Sequence, residues 1–164
     1  TGGYWCHAGG INPVLKASRW LTPASASIDL GAGNGLQGLL MQALTPHRRT
    51  VQVEISARMV AIGRRLQAWL GIPSERVEWV VGDVMDAEVS GFDLVYMYRP
   101  VRPEGVGRTF YRRLAATLES SPRPVVVVSV ADCLRPLLSD RFVEIYGDGH
   151  LTCLRGPVDE SLTA

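Results

Sequence analysis

Residues 28–38 read Ile28-Asp29-Leu30-Gly31-Ala32-Gly33-Asn34-Gly35-Leu36-Gln37-Gly38. Ser27 to Leu30 has the makeup of a short apolar strand. Glycine then stands at 31, 33 and 35, and the chain passes into helix-like periodicity. Alternate glycines let the backbone take positive φ and let a ligand approach without meeting a Cβ. A strand, a glycine turn and a helix N-terminus, in that order, form a nucleotide-type cradle.

The elements flanking the cradle follow from periodicity. Upstream, Ile11, Val14, Leu15, Ala17 and Leu21 fall near helical spacing, with Pro13 tolerated in a first turn. Residues 1–10 (TGGYWCHAGG) read as loop, either a chain terminus or a flap over the cradle. Downstream, Leu36, Leu39, Leu40, Ala43 and Leu44 predict a helix packing one face on a sheet, ended by Pro46. Residues 50–56 alternate and are β-branched, which predicts a second strand. The next helix carries Met59, Ile62, Leu66, Trp69 and Leu70 as its apolar stripe, with Gly71 as C-cap before Pro73.

Residues 77–83 predict a third strand, and the link to the fourth is so short that its crossover helix shrinks to about one turn. Strand 92–98 is nearly all apolar and so buried on both faces. A helix over 104–119 follows, then strand 124–130, the most hydrophobic and expected to lie centrally. A short helix around Leu134–Leu138 precedes a hairpin turning at Gly147-Asp148-Gly149. Strand–helix alternation implies an α/β, Rossmann-like doubly wound sheet of about seven strands, mostly parallel with a C-terminal antiparallel hairpin. Ligands then sit at the carboxyl ends of the strands.

Composition narrows the class. One domain over 1–164 is the default at this length. A net charge of +1 argues against a strong generic nucleic-acid footprint, although paired arginines (Arg48-Arg49, Arg64-Arg65, Arg112-Arg113) leave a local patch open. Cys6, Cys133 and Cys153 show neither disulfide pairing nor zinc-ligand spacing. No apolar run approaches a membrane span and no signal-peptide pattern opens the chain, so the expected setting is cytoplasmic, without membrane association. His7, His47 and His150 fall in expected loops and pair with no acid or cysteine at meaningful spacing.

With these residues in place, the chain resembles class I S-adenosylmethionine-dependent methyltransferases from about residue 11 to 156. Asp29-x-Gly31-x-Gly33-x-Gly35 matches their first motif. Glu54 matches the acid that holds the ribose hydroxyls, and Gly82-Asp83 the acid that reads the adenine amine. Phe92-Asp93-Leu94-Val95 matches the strand leading to the acceptor site. The resemblance implies S-adenosyl-L-methionine as cofactor, held by Asp29, Gly31, Ala32, Gly33, Gly35, Glu54 and Asp83. Ile55 and Val84, which follow two of the acids, become walls for the adenine. The chemistry is consistent: a diol offers two hydroxyl donors, and a carboxylate accepts both.

The competing ligand is a nicotinamide dinucleotide, whose fingerprint Gly-x-Gly-x-x-Gly needs a third glycine where this chain has Leu36. That glycine permits close packing beside a pyrophosphate, which the methyl donor lacks. Asp83 has no evident use in the dinucleotide reading.

The acceptor loop, Tyr98-Arg99-Pro100-Val101, matches neither the Asn/Asp-Pro-Pro-aromatic motif of amino methyltransferases nor a Pro-Cys nucleophile. Tyr98 and Arg99 are the candidate catalytic residues: the phenol to line the donor methyl or orient an acceptor, the guanidinium to pair an acceptor carboxylate or phosphate. Structural readings stand beside these, with Tyr96 packed in the sheet and Arg99 on the surface. No metal is called for. The expected partner is a small-molecule acceptor; a nucleic-acid acceptor and a homodimer stay open. The alternatives are a catalytically silent cofactor-binding domain acting through a partner and, further off, an NAD-dependent oxidoreductase.

Overall fold

A computed structural model of the protein describes residues 10–158. The chain runs α1 (Asn12–Ser18), β1 (Ala26–Leu30), α2 (Leu36–Leu44), β2 (Arg49–Glu54), α3 (Ala57–Trp69), β3 (Val77–Val81), β4 (Leu94–Tyr98), α4 (Val106–Glu119), β5 (Val125–Val130), β6 (Val143–Gly147) and β7 (Leu151–Gly156). Single 3-10 turns over 84–86 and 135–137 replace the helices that longer crossovers would hold. The expected short helix after β5 is one such turn. The seven strands form one sheet in the order β3-β2-β1-β4-β5-β7-β6. Strands β1 to β5 pair in parallel, and β7 lies antiparallel between β5 and β6. The Rossmann-like architecture read from strand–helix alternation is therefore the observed one. Strand β5 is interior, as its hydrophobicity requires, but the middle place belongs to β4, which is buried along almost its whole length.

The two faces of the sheet differ in chemistry. One packs Ile28, Leu30, Val51, Val53, Val95, Met97 and Val127 against Phe110, Leu114 and Leu118 of α4. On the other face β4, β5 and β7 are apolar under α1, with Leu94, Tyr96, Val126 and Val128 against Val14, Ala17 and Leu21. Where α2 and α3 cover β1 and β2, however, the same face presents Ser27, Asp29, Thr50 and Gln52, all buried. These groups carry a hydrogen-bond network. Ser27 Oγ and Thr50 Oγ1 each lie 2.9 Å from His47 Nε2, His47 Nδ1 lies 2.8 Å from the Thr45 carbonyl, and Gln42 Nε2 donates to Thr50 Oγ1 at 3.1 Å. His47 is thus a satisfied buried histidine at the amino ends of the strands, away from any ligand crevice.

This polar layer turns both covering helices away from their expected apolar stripes. Helix α2 buries Gly38, Leu39, Met41 and Gln42, while Ala43 and Leu44 are exposed. Helix α3 buries Val60, Gly63 and Gln67, while Ile62 faces out and Trp69 is 81% exposed. The physical cause is Trp79. Its indole, on β3, reaches under α3 and donates from Nε1 to Gln67 Oε1 at 2.8 Å. A Cβ on Gly63 would collide with that ring and come within 2.8 Å of the Asn34 carbonyl oxygen. Packing here follows hydrogen bonding and ring volume rather than hydrophobic periodicity. Gly71 at φ 66° closes the C-terminus of α3 as expected, whereas Ser56, read as the last residue of the second strand, is its N-cap: β2 stops at Glu54 and Ser56 Oγ accepts from the Met59 amide.

Candidate functional site

Parallel order puts the carboxyl ends of β1 to β5 along one edge of the sheet, and the start of β7 joins them because Leu151 pairs with Val130. The glycine turn rises at this edge. Gly31, Gly33 and Gly35 take φ of 77°, 58° and 69°, values that favour glycine. The Gly31 and Ala32 amides both donate to the Val53 carbonyl at 2.9 Å, which folds the turn over the tip of β2. There the Glu54 carboxylate meets it: Oε2 accepts from the Gly33 amide and Oε1 from the Ser56 amide, each at 2.8 Å. The Glu54 carbonyl in turn accepts from the Gly82 amide at 3.1 Å, tying in the tip of β3. Each carboxylate oxygen keeps a second lone pair, so the group can still receive hydroxyl donors.

The remaining residues singled out in the sequence sit around this junction in different states. Asp83 is exposed, its Oδ1 accepting from the Met85 amide at 2.9 Å to cap the 84–86 turn. Ile55 presents an exposed side chain beside Glu54. Val84 does not face it, because its side chain is buried in the core cluster with Val51, Val53 and Phe92. Gly31 lies against the loop that follows β4, where an added Cβ would fall 2.7 Å from Pro100 Cβ. Gly35 has a packing reason of its own, since a Cβ there would strike the Trp79 ring.

Asp29 is almost fully buried, within reach of the Gly38 amide of α2. Burial raises its carboxyl to a pKa of about 7; the Gly38 amide opposes that shift and the Glu54 charge adds to it. Its neighbour across the β1–β4 ladder is Tyr96, as the sequence placed it, packed in the sheet. Burial first, then the Asp29 charge, pushes that phenol well above its ordinary range. Among the described residues, the Tyr96 hydroxyl finds no hydrogen-bond partner.

Just beyond the tip of β4, Arg99 is not a loose surface residue. It holds φ 34°, and its Nε donates to the carbonyl of Ala131 at 2.9 Å; Ala131 itself has φ 52°. Both are non-glycine residues in the left-handed region, at the tips of β4 and β5. Tyr111 Oη anchors the same loop by donating to the Val101 carbonyl at 2.9 Å. Tyr98 meets His150 edge to face, ring centroids 5.8 Å apart at 84°. Sequence reading gave His150 no role. The antiparallel hairpin is the signal that finds it, because its turn must fall at the ligand edge. The flap reading of residues 1–10, and His7 with it, falls outside the described residues apart from Gly10. No helix among the described residues is long and apolar enough to cross a membrane.

Comparison with known proteins agrees with this geometry. The family described as "Methyltransferase domain" matches residues 28–121, from the first strand of the cradle to the end of α4. An RNA methyltransferase from Salinibacter ruber, solved with S-adenosyl-L-homocysteine, is 22% identical at a TM-score of 0.67. It covers 93% of this chain, and 92% of its own length is covered. The mitomycin 7-O-methyltransferase MmcR is 15% identical, covers 88% of this chain, and has a TM-score of 0.61. An S-adenosylmethionine-dependent methyltransferase from Thiobacillus denitrificans, also solved with S-adenosyl-L-homocysteine, is 14% identical, covers 76% of this chain, and has a TM-score of 0.58. The chain spans about half the length of these last two, 52% and 50%. No curated protein matches it.

Fold, cradle and family match define a class I methyltransferase. The chain belongs to the methyltransferase domain family, and two of the solved structures it resembles hold S-adenosyl-L-homocysteine.

Proposed function

We propose that the crevice along the strand tips holds S-adenosylmethionine with its methyl directed at the Tyr98–Val101 loop. The Glu54 carboxylate receives the ribose diol, and Asp83 takes the adenine amine. Ile55 lies along one face of the adenine, and Val84 contributes its backbone at the other. The Gly31–Gly35 turn flanks the methionine portion, and Asp29 lies beneath it. One observation carries this reading: the Glu54 carboxylate sits 2.8 Å from the Gly33 amide while its carbonyl holds Gly82, so turn, ribose acid and adenine acid meet at one junction. Tyr98 and Arg99 border the acceptor, Arg99 held there by its bond to Ala131. Methyl transfer from a sulfonium is an in-line displacement, and alignment of donor and acceptor supplies much of its acceleration.

The acceptor in this reading is a small molecule. The chain's net charge of +1 supports an acceptor other than a polyanion. An RNA acceptor is the second reading, favoured by the near-complete mutual coverage with the Salinibacter ruber RNA methyltransferase. Incubating the protein with methyl-tritiated S-adenosylmethionine and either a low-molecular-mass metabolite extract or total RNA separates them. Label in the metabolite fraction supports the first reading; label in RNA alone overturns it for the second.

A further inference from the structure

We propose that His150 is the proton acceptor of the methyl-transfer site. The inference rests on the methyltransferase reading above and adds a catalytic residue to it. His150 immediately precedes β7 at this edge of the sheet, and its exposed side chain lies edge-on to the Tyr98 ring. Its backbone is fixed from two sides. Asp148 Oδ1 accepts the amides of His150 and Leu151 at 3.0 and 2.8 Å. The His150 carbonyl accepts the Ala131 amide at 2.6 Å, and the Ala131 carbonyl accepts Arg99 Nε. A continuous set of contacts thus runs from the glycine turn through Pro100, Tyr98 and Arg99 to His150. An exposed imidazole locked to the acceptor loop suits proton transfer: imidazole exchanges protons near neutrality, where a phenol is a poor base.

In the step, the acceptor's O–H or N–H group attacks the sulfonium methyl. The new O–C or N–C bond forms as the C–S bond breaks, and that electron pair stays on sulfur in S-adenosylhomocysteine. The acceptor's proton passes to a ring nitrogen of His150 and on to solvent. The charged and titratable groups around the imidazole are Asp148 in its own turn and Tyr146 of β6, whose hydroxyl donates to Asp148. Lys16 of α1 sits over the Tyr146 ring, Tyr98 lies on β4, and Arg99 and Cys133 gather at the Ala131 carbonyl.

The test needs no known acceptor. The His150 pKa is measured by NMR with S-adenosylmethionine bound and with S-adenosylhomocysteine bound, His150→Gln supplying the assignment. A sulfonium charge near the imidazole lowers its pKa by roughly half a unit or more relative to the neutral sulfide, while buried His47 at the opposite end of the sheet does not respond. His150→Gln is expected to bind the donor within about twofold of wild type. Equal pKa values in the two complexes overturn the proposal, as does loss of donor binding in His150→Gln. If neither ligand gives calorimetric heat, the methyltransferase reading fails, a separate and visible result.

Discussion

The Glu54 carboxylate accepts the Gly33 amide through one oxygen and the Ser56 amide through the other. It therefore shapes the glycine turn before any ligand arrives. Removing it leaves two amides without their acceptor and, in the proposed function, takes away the partner of the ribose diol. Glu54→Ala is expected to lower stability by about 1–3 kcal/mol. A midpoint drop of roughly 3–10 °C follows for a domain of this size, read by scanning calorimetry. An unchanged midpoint would show that the turn holds its shape without Glu54.

Gly63 and Trp79 form a second matched pair. A methyl group at 63 collides with the benzo ring of Trp79, so Gly63→Ala should destabilise the fold by about 1–3 kcal/mol. Trp79→Phe removes the ring atoms involved. The double variant should therefore lose less than the sum of the two single losses, by about 1 kcal/mol in denaturant titrations. Strict additivity would mean that the two residues do not meet.

Asp29 makes stability fall with rising pH. Its folded pKa is about 7, against 3.8 for the free group, so the folded chain binds the extra proton between those values. The loss accumulates from about pH 4 to 7 and is flat above. For a fully buried carboxyl it amounts to about 4 kcal/mol. His47 has the opposite sign. Burial lowers its pKa below 6.5, so its contribution is complete above that value and is lost as the pH falls beneath it. Asp29→Asn, which stays neutral, isolates the first effect: between pH 5 and 8, stability measured in urea should fall more in wild type than in the variant. Parallel profiles would place an ionised Asp29 in the fold at neutral pH.

The cofactor should reverse that protonation. S-adenosylmethionine brings an ammonium and a sulfonium toward the turn above Asp29, and nearby positive charge favours the carboxylate. Binding at pH 6 is then expected to release protons, seen as a binding enthalpy that changes with the ionisation enthalpy of the buffer. In Asp29→Asn that dependence should shrink. Identical buffer dependence in both proteins would remove Asp29 from the cofactor's surroundings.

The sequence made the fold legible because strand, turn and cap signals are local. The glycine turn, Gly71 and the Gly147–Gly149 turn all lie where their chemistry indicates. The apolar stripes of α2 and α3 were legible only in part: Leu39, Leu40, Leu66 and Leu70 pack inward, but Leu44, Ile62 and Trp69 face out, because what the helices pack on is set by distant residues. Gln42 and Gln67 are buried only because Thr50, His47 and Trp79 offer them partners. The burial of Val84 was not legible for the same reason: its place after Asp83 says nothing of the core beneath it. His150 lies more than fifty residues from Tyr98 and meets it only through the β5–β7 pairing.

Isothermal calorimetry with S-adenosylmethionine, S-adenosylhomocysteine and NAD, on wild type and Glu54→Ala, asks most directly whether the turn and the ribose acid hold a nucleoside. The first two ligands should each bind wild type at one site, NAD should give no heat, and Glu54→Ala should weaken both ligands at least tenfold, about 1.4 kcal/mol. Binding of NAD in place of the methyl donor, or full affinity in Glu54→Ala, would contradict it.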